Sequence, residues 1–349
     1  MPWCAGAGAA SPPWRAAFYI MRVFGRIMEI HRWQRQLYID RPLVLTIGNF
    51  DGVHVGHQAL LARLQDVAAA EGGESALLSF FPHPRALVSG QSPAMLSTLR
   101  DRAFWLAHFG LEHWIVLSFT QRVRHLSPED FLRDYLGRFP VRRLLVGDDF
   151  RFGYRGMGDF AWLQRQAPRF GFAVEALPSV CEAGGRVSSS RIREALNRHD
   201  IAGAEKLLGH PLTLTGRVRR GYGRGARLQR PTANIHLPGN WCLPDGVYVV
   251  KIAALSAGGQ SHWGVANIGA APTFGVSRRR LEVHVPDAAL SLYDAFVQVS
   301  IAAYLRDIRT FPDASALQLQ IQQDIAQARQ VIAGFAPLPS SSSFWTHHG

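Results

Sequence analysis

The sequence LVLTIGNFDGVHVGHQALLARLQDVAAA, residues 43–70, decides the fold of the first half of this chain. Leu43–Ile47 is an unbroken apolar run of strand length, which predicts a buried strand. His57–Ala70 carries apolar side chains at the spacing of an amphipathic helix, and two glycines end it. The loop Gly48–Gly56 therefore leads from a strand into a helix, which is how a βαβ unit begins.

The same alternation of strands and helices continues along the chain. Further apolar runs of strand length lie at Ala76–Phe81, Leu144–Val146 and Phe172–Leu177. Between them, residues 127–130 combine an N-cap serine, a proline and two acids, which predicts the start of a helix. The pattern predicts an α/β domain with a parallel sheet and helices on both faces.

The pattern changes near Gly209. Short apolar runs then follow one another without intervening helices, which predicts an antiparallel barrel or sandwich. These runs are Leu212–Val218, Thr232–Leu237, Val247–Ala254, Trp263–Ile268, Leu281–Val285 and Phe296–Tyr304, and a last amphipathic helix is predicted from Ala314 to Ile332. We predict domains at residues 21–205 and 206–335, a disordered leader or misassigned start at 1–20, and a disordered tail at 336–349.

Composition limits the class of protein. The chain has 349 residues, of which 47% are hydrophobic and 18% charged, and this suits two folded domains. No apolar run approaches the roughly 20 residues that span a bilayer. The net charge of +12 permits a nucleic-acid ligand, but scattered arginines with only two lysines favour an anionic small molecule.

The cysteines and the remaining composition bear on location and partners. Cys4, Cys181 and Cys242 lie far apart, which argues against a disulfide framework or a thiolate zinc site and fits a reducing compartment. We predict a cytoplasmic protein without a nucleic-acid or membrane partner. The oligomeric state stays open.

The loop after the first strand is a candidate phosphate site. Ligands of open α/β sheets bind at the carboxyl ends of strands, and a helix N-terminus offers N–H groups and positive potential to phosphates. Gly48 and Gly52 allow close approach of the backbone, and His54 and His57 can donate hydrogen bonds to phosphate oxygens. Downstream, Ser188–Ser190 predicts a capped helix start, to which Arg191 adds a permanent planar cation.

A second candidate site lies in the predicted barrel. Gly216 and Gly221 belong to a glycine-rich basic segment, which either contacts phosphate or is a flexible hairpin. Thr232 and Asn234 alternate to one face of a strand and offer oxygens to Mg²⁺. Glu282 interrupts an apolar strand, either as a functional carboxylate or as a solvent-facing position.

Motifs in both halves carry a resemblance to one family. GNFDGVHVGHQ, residues 48–58, resembles the HxGH superfamily of nucleotidyltransferases, and specifically the FMN adenylyltransferase module of bacterial bifunctional riboflavin kinase/FAD synthetases. Further elements similar to that family are Phe81–Pro84, Val146–Gly153, Ser188–Arg193, Pro231–Asn234, Gly246–Tyr248, Asn267–Thr273, Glu282–His284 and Leu305–Arg306. The resemblance covers about residues 43–329. It implies a Rossmann-like nucleotidyltransferase domain followed by an antiparallel riboflavin kinase β-barrel with a terminal helix.

The resemblance implies two ATP-dependent reactions with Mg²⁺: riboflavin to FMN, and FMN to FAD with release of pyrophosphate. It implies catalytic roles for His54, His57 and Arg191 in the second reaction, and for Glu282 as the base that deprotonates riboflavin. Thr232 and Asn234 would ligate the metal ion. The implied nucleotide- and flavin-binding positions are Gly48, Phe50, Asp51, Gly52, Asp149, Phe150, Phe152, Ser189, Gly216, Gly221 and Arg306.

Departures from the family pattern keep alternatives open. Gln229 and Arg230 stand where the family has a glycine and an aromatic residue, and Ala271 replaces an arginine. One alternative is therefore an FMN adenylyltransferase whose barrel has lost most of its kinase activity. An RNA-binding protein with an HxGH nucleotide site is another. A third is an HxGH transferase acting on nicotinate mononucleotide or phosphopantetheine, against which the barrel motifs argue.

Overall fold

The structure, a computed structural model, describes residues 18–23, 25–219, 232–255, 260–270, 279–286 and 292–335. The chain forms two compact units. The first contains the described residues up to Pro93 and Arg102–Val187, and the second contains Ala94–Asp101 and the described residues from Ser188 onward. The change of unit at Val187/Ser188 lies before the predicted domain boundary at 205/206. That boundary stays a prediction.

The first unit is built on a seven-stranded sheet. Its strands are β1 (Phe18–Val23), β2 (Arg26–Arg32), β3 (Leu43–Ile47), β4 (Glu74–Phe81), β5 (His113–Ser118), β6 (Val141–Gly147) and β7 (Ala173–Leu177). Their order is β1-β2-β5-β4-β3-β6-β7. β1 pairs with β2 antiparallel, whereas the pairs from β2 to β7 are parallel.

Helices connect the parallel strands. They are α1 (Val55–Ala70), α2 (Pro84–Val88), α3 (Leu99–His108), α4 (Gln121–Arg124), α5 (Pro128–Asp134) and α6 (Phe160–Gln166); the division between the units falls within α3. Ser127 caps α5 as predicted, because its Oγ accepts a hydrogen bond from the Asp130 N–H at 3.0 Å. A small antiparallel ribbon, β8 (Cys181–Glu182) and β9 (Gly185–Arg186), ends the unit.

The strand order places a binding site. The chain runs outward from β3 through β4 to β5, and then crosses back to β6 and β7 on the other side of β3. The order therefore reverses between β3 and β6, and ligands of open α/β sheets bind at the carboxyl ends of strands at such a point. Leu43, Leu45 and Leu144 are fully buried here, so the apolar runs of these central strands form the core beneath the site.

The second unit contains a closed antiparallel barrel. Its strands are β10 (Leu212–Arg219), β11 (Thr232–His236), β12 (Gly246–Ala254), β13 (Ser261–Ala270), β14 (Arg279–His284) and β15 (Phe296–Arg306), in the order β10-β11-β14-β13-β12-β15. Helices α7 (Ser189–Asn197) and α8 (Ile201–Leu208) precede the barrel, and α9 (Ala314–Gly334) follows it. The predicted fold class, a parallel sheet with helices followed by a barrel and a terminal helix, is confirmed.

Strand β5 and two further features were not anticipated from the sequence. Strands β1 and β2 extend the sheet, and Phe18–Ile20 of the predicted leader lie in β1. The segment Ala94–Asp101 belongs to the second unit, where Asp101 is fully buried and its Oδ1 accepts a hydrogen bond from the Thr215 N–H at 2.7 Å. In the part of the chain that the structure describes, no helix combines the length and the apolarity that crossing a bilayer requires.

Candidate active sites

The loop after β3 has an unusual backbone. Phe50, Gly52 and Val53 all have positive φ, at 51°, 83° and 40°. A turn joins them, because the Val53 N–H donates to the Phe50 carbonyl at 3.1 Å. A Cβ on Gly48 would lie 3.0 Å from the Phe50 ring. Gly52 thus has a backbone conformation that favours glycine, and a side chain at Gly48 would crowd the Phe50 ring.

The two histidines of the loop are in contact. His54 is the N-cap of α1, and its Nδ1 accepts a hydrogen bond from the His57 N–H at 3.3 Å. The two imidazole rings stack with centroids 3.6 Å apart, and the Phe50 ring stacks on His57 at 4.3 Å. The structure therefore brings His54, His57 and Phe50 together at the N-terminus of a helix.

A buried ion pair and a buried imidazole determine the electrostatics of this loop. Asp51 is 4% exposed and forms a buried ion pair with Arg102 at 3.4 Å, a partner that sequence reasoning missed. Burial, followed by the nearby His54 and Arg102, lowers the pKa of His57 well below its ordinary value of 6.5. The Nδ1 of His57 is buried and makes no hydrogen bond to any described residue. Such an atom costs about 1–3 kcal/mol unless a ligand satisfies it.

The turn after β4 lies beside this loop. The Asn49 amide nitrogen and the His83 Nε2 are 3.2 Å apart. His83 in turn caps α2, since its Nδ1 accepts from the Arg85 N–H at 3.2 Å. The motif Phe81–Pro84 is therefore linked to the HxGH loop, and Asn49 is a contact that no spacing in the sequence indicates.

The loop after β6 forms the other side of the switch point. The rings of Phe150 and Phe152 stack at 5.5 Å, and Phe152, 8% exposed, belongs to the core of the unit. Asp149 is exposed and pairs with Arg186 at 2.6 Å. Phe152 thus acts as an anchor that positions Phe150, while the predicted nucleotide and flavin contacts of Asp149 and Phe150 stay predictions.

Ser189 and Arg191 belong to the second unit. Ser188 is the N-cap of α7, and its Oγ accepts a hydrogen bond from the Arg191 N–H at 3.3 Å. The predicted capping by the serine run is confirmed at Ser188. The proposed contacts of Ser189 and Arg191 with ATP phosphates remain predictions.

A row of polar residues crosses three strands of the barrel. Glu282 on β14 lies directly opposite Asn234 on β11 and Asn267 on β13. Thr232 lies opposite His284 in the same sheet. On β14 the alternate residues Leu281 and Val283 are buried in the barrel, so Glu282 and His284 are on its outer face. The structure therefore brings the proposed base and metal ligands to one patch.

The other predicted barrel residues have different surroundings. Arg306 makes a bidentate ion pair with buried Asp324 of α9, at 2.8 Å from Nε and 2.7 Å from Nη2. A Cβ on Gly216 would clash with the Ile235 Cγ2, so this glycine allows close strand packing. Gly221 lies outside the described residues, as do the departures Gln229, Arg230 and Ala271.

These observations define a class of protein. A parallel sheet with a strand–loop–helix at its switch point is the arrangement of nucleotide-binding α/β proteins, and in this chain an antiparallel barrel follows it. Comparison with known families narrows this class. Residues 37–191 match the FAD synthetase family, and residues 208–332 match the riboflavin kinase family. The chain belongs to the family of bifunctional riboflavin kinase/FMN adenylyltransferases.

Individual relatives agree with this assignment. The chain is 39% identical to the bifunctional riboflavin kinase/FMN adenylyltransferase of Escherichia coli (strain K12), over 82% of this chain and 92% of that protein. It is 42% identical to the enzyme of the same description from Pseudomonas fluorescens, over 84% of this chain and 94% of that protein. The predicted family and enzyme class are confirmed, and the match of the whole barrel does not favour the kinase-poor alternative.

A solved structure shares the fold. It is described as a macrolide-efflux protein from Streptococcus pneumoniae, with a TM-score of 0.75 and 27% identity, over 86% of this chain and 98% of that one. The efflux description concerns that protein. The likeness supports the fold described above for this chain.

Proposed function

We propose that this chain phosphorylates riboflavin to FMN in its barrel and adenylylates FMN to FAD in its first unit, with ATP as the substrate of both reactions. The stacked pair of His54 and His57 carries the proposal. It lies at the switch point of the sheet, on a helix N-terminus, and offers a buried Nδ1 atom with no partner among the described residues. Since flavins and ATP are the substrates, a cytoplasmic location is part of this proposal.

In the adenylyl transfer, an oxygen of the FMN phosphate attacks the α-phosphorus of ATP. The bond between the α-phosphorus and the oxygen that bridges the α- and β-phosphates breaks, and pyrophosphate leaves. A phosphate is already a nucleophile, so the site needs no general base and acts by alignment and charge stabilisation. His57 is neutral at neutral pH because its pKa is lowered, and it donates an N–H hydrogen bond to the departing phosphates. The N-terminus of α1 adds its positive potential.

In the kinase reaction, the attacking group is an alcohol and needs a proton acceptor. Glu282 takes the proton of the riboflavin 5′-hydroxyl, and the hydroxyl oxygen bonds to the γ-phosphorus. The bond from the γ-phosphorus to the β,γ-bridging oxygen breaks, and ADP leaves. Thr232 and Asn234 supply hydroxyl and amide oxygens next to this carboxylate, a set of hard donor atoms that fits Mg²⁺. The metal ion would neutralise phosphate charge. Asn234 is held in place by its Nδ2, which donates to the Thr232 carbonyl and hydroxyl, both at 3.3 Å.

The test is a direct assay of both reactions. The purified chain is incubated with ATP and Mg²⁺, with either riboflavin or FMN, and the flavins are separated by chromatography. FMN and FAD formed from riboflavin would support both halves of the proposal. FAD formed from FMN alone would remove the kinase half, and no product from either flavin would overturn the proposal.

A further inference from the structure

A cluster of titratable side chains lies in the first unit, apart from the nucleotide loops. It consists of Glu29 and His31 on β2, His113 on β5 and Glu74 on β4. His113 and Glu74 are the first residues of their strands, so the cluster lies by the amino ends of β4 and β5. The HxGH loop, in contrast, follows the carboxyl end of β3. The proposed reactions make no use of these four residues.

The spacing of three ligand atoms matches a metal site. The His31 Nε2 and His113 Nδ1 are 3.1 Å apart, and the Glu29 Oε2 lies 3.5 Å from each. A tetrahedral Zn²⁺ ion with bonds of about 2.0–2.1 Å holds its ligand atoms about 3.3–3.4 Å apart. The three ligand atoms are therefore spaced as a tetrahedral Zn²⁺ ion requires.

The contact between His113 and Glu74 resembles the hydrogen bonds that orient metal-binding histidines. The remaining ring nitrogen of His113, Nε2, is 2.6 Å from the Glu74 Oε2. Imidazoles that bind a metal usually donate their second N–H to a carboxylate, which fixes the tautomer and raises the basicity of the ligating nitrogen. This bond leaves the His113 Nδ1 without a proton, so it accepts the 3.1 Å hydrogen bond from the His31 Nε2–H, and an ion bound here would displace that proton.

Burial and access suit an ion as well. The side chains of His31 and His113 are 5% and 7% exposed, whereas Glu29 is 40% exposed. All four residues line an open cavity of about 580 Å³, which gives an ion a route in and leaves space for a fourth ligand.

We propose that Glu29, His31 and His113 form a binding site for a divalent transition-metal ion of the zinc type, with Glu74 orienting His113 and a water molecule in the fourth position. Two imidazoles and one carboxylate favour Zn²⁺ over Mg²⁺, which prefers oxygen ligands. The ion would link β2 to β5, two neighbouring parallel strands of the sheet.

The experiment measures Zn²⁺ bound by the chelator-treated full chain, by calorimetry and metal analysis, without nucleotide and with millimolar Mg²⁺ present. Glu29→Gln tests the site with little risk to folding, because this side chain is half-exposed, and His31→Ala and His113→Ala remove the buried ligands. We expect each histidine variant to lose one equivalent of Zn²⁺ and Glu29→Gln to weaken that equivalent about 10-fold or more.

His125→Ala is the matched control, since it removes an exposed histidine of the same unit and should keep the equivalent. Co²⁺ in place of Zn²⁺ should give the visible absorption of a tetrahedral ion in the parent chain and lose it in His113→Ala. Full Zn²⁺ stoichiometry and affinity in Glu29→Gln and in folded His31→Ala would overturn the proposal. So would the absence of a tight equivalent in the parent chain. Flavin synthesis is not the readout, so the proposed function can fail without affecting this test.

Discussion

The imidazole rings of His54 and His57 stack with their centroids 3.6 Å apart and with 14° between their planes. His54 also caps the helix on which His57 stands, so one residue both starts α1 and fixes the ring of the other. The position of His57 at the switch point therefore depends on local backbone geometry and on ring packing together.

Replacing His57 with Ala should suppress the formation of FAD from FMN by about 10²–10³-fold, the usual effect of losing a hydrogen-bond donor to developing charge. The formation of FMN from riboflavin should be unchanged, because the kinase residues are in the barrel. Chromatography of the flavins measures both rates, with His125→Ala as the control. Loss of both activities in a folded His57→Ala protein would contradict the assignment of two sites.

Replacing Glu282 with Gln should give the opposite result. The amide keeps the size of the side chain but cannot accept the riboflavin proton, so FMN formation should fall at least 10²-fold. FAD formation from supplied FMN serves as the internal control and should be retained. Unchanged kinase activity in this variant would show that Glu282 is only a polar position on the outer face of the barrel.

The Arg306–Asp324 pair should stabilise the docking of α9. Replacing Asp324 with Asn leaves the Arg306 guanidinium, which is 13% exposed, without its carboxylate partner. The free energy of unfolding should therefore fall by about 3–5 kcal/mol. Denaturant titration measures this change. In the double variant Arg306→Met, Asp324→Leu, most of the stability should return, because the buried charges are removed together.

The same double variant separates two roles of Arg306. If the double variant regains both the stability and the kinase activity that Asp324→Asn loses, Arg306 acts by holding α9 in place. If the protein is stable but inactive, the predicted contact of Arg306 with a ligand gains support.

His57 should also make stability depend on pH. Its folded pKa is lowered, so the unfolded chain binds a proton near pH 6.5 that the folded chain does not. The stability contributed by neutral His57 is therefore complete above about pH 6.5 and is lost as the pH falls toward the folded value. His57→Gln should reduce the loss of unfolding free energy below pH 6.5 by up to about 1.4 kcal/mol per pH unit.

Denaturant titrations of the parent chain and of His57→Gln at about pH 7 and pH 5.5 measure this difference. Titrating groups distant from the loop contribute equally to both proteins, whereas His54, which is coupled to His57, contributes to the difference between them. Parallel stability curves would show that His57 accepts its proton in the folded state at an ordinary pKa.

The sequence by itself determined most strands of both units and their order along the chain, but it did not indicate β1, β2 or β5. Leu43–Ile47 is a strand with the predicted bounds, and α1 begins two residues before the predicted helix. These elements follow from local periodicity and from capping residues, which act over a few positions of the chain. The motifs 48–58 and 231–234 indicated the family for the same reason, since each lies within one continuous segment.

Tertiary structure decided which distant residues meet. Arg102 pairs with Asp51, 51 positions away, and His113 contacts His31, 82 positions away. It also directed Arg306 toward Asp324 and placed Asn234 and Asn267 on either side of Glu282. No local pattern carries such pairings, because they depend on strand order and register, which the burial of the whole core selects.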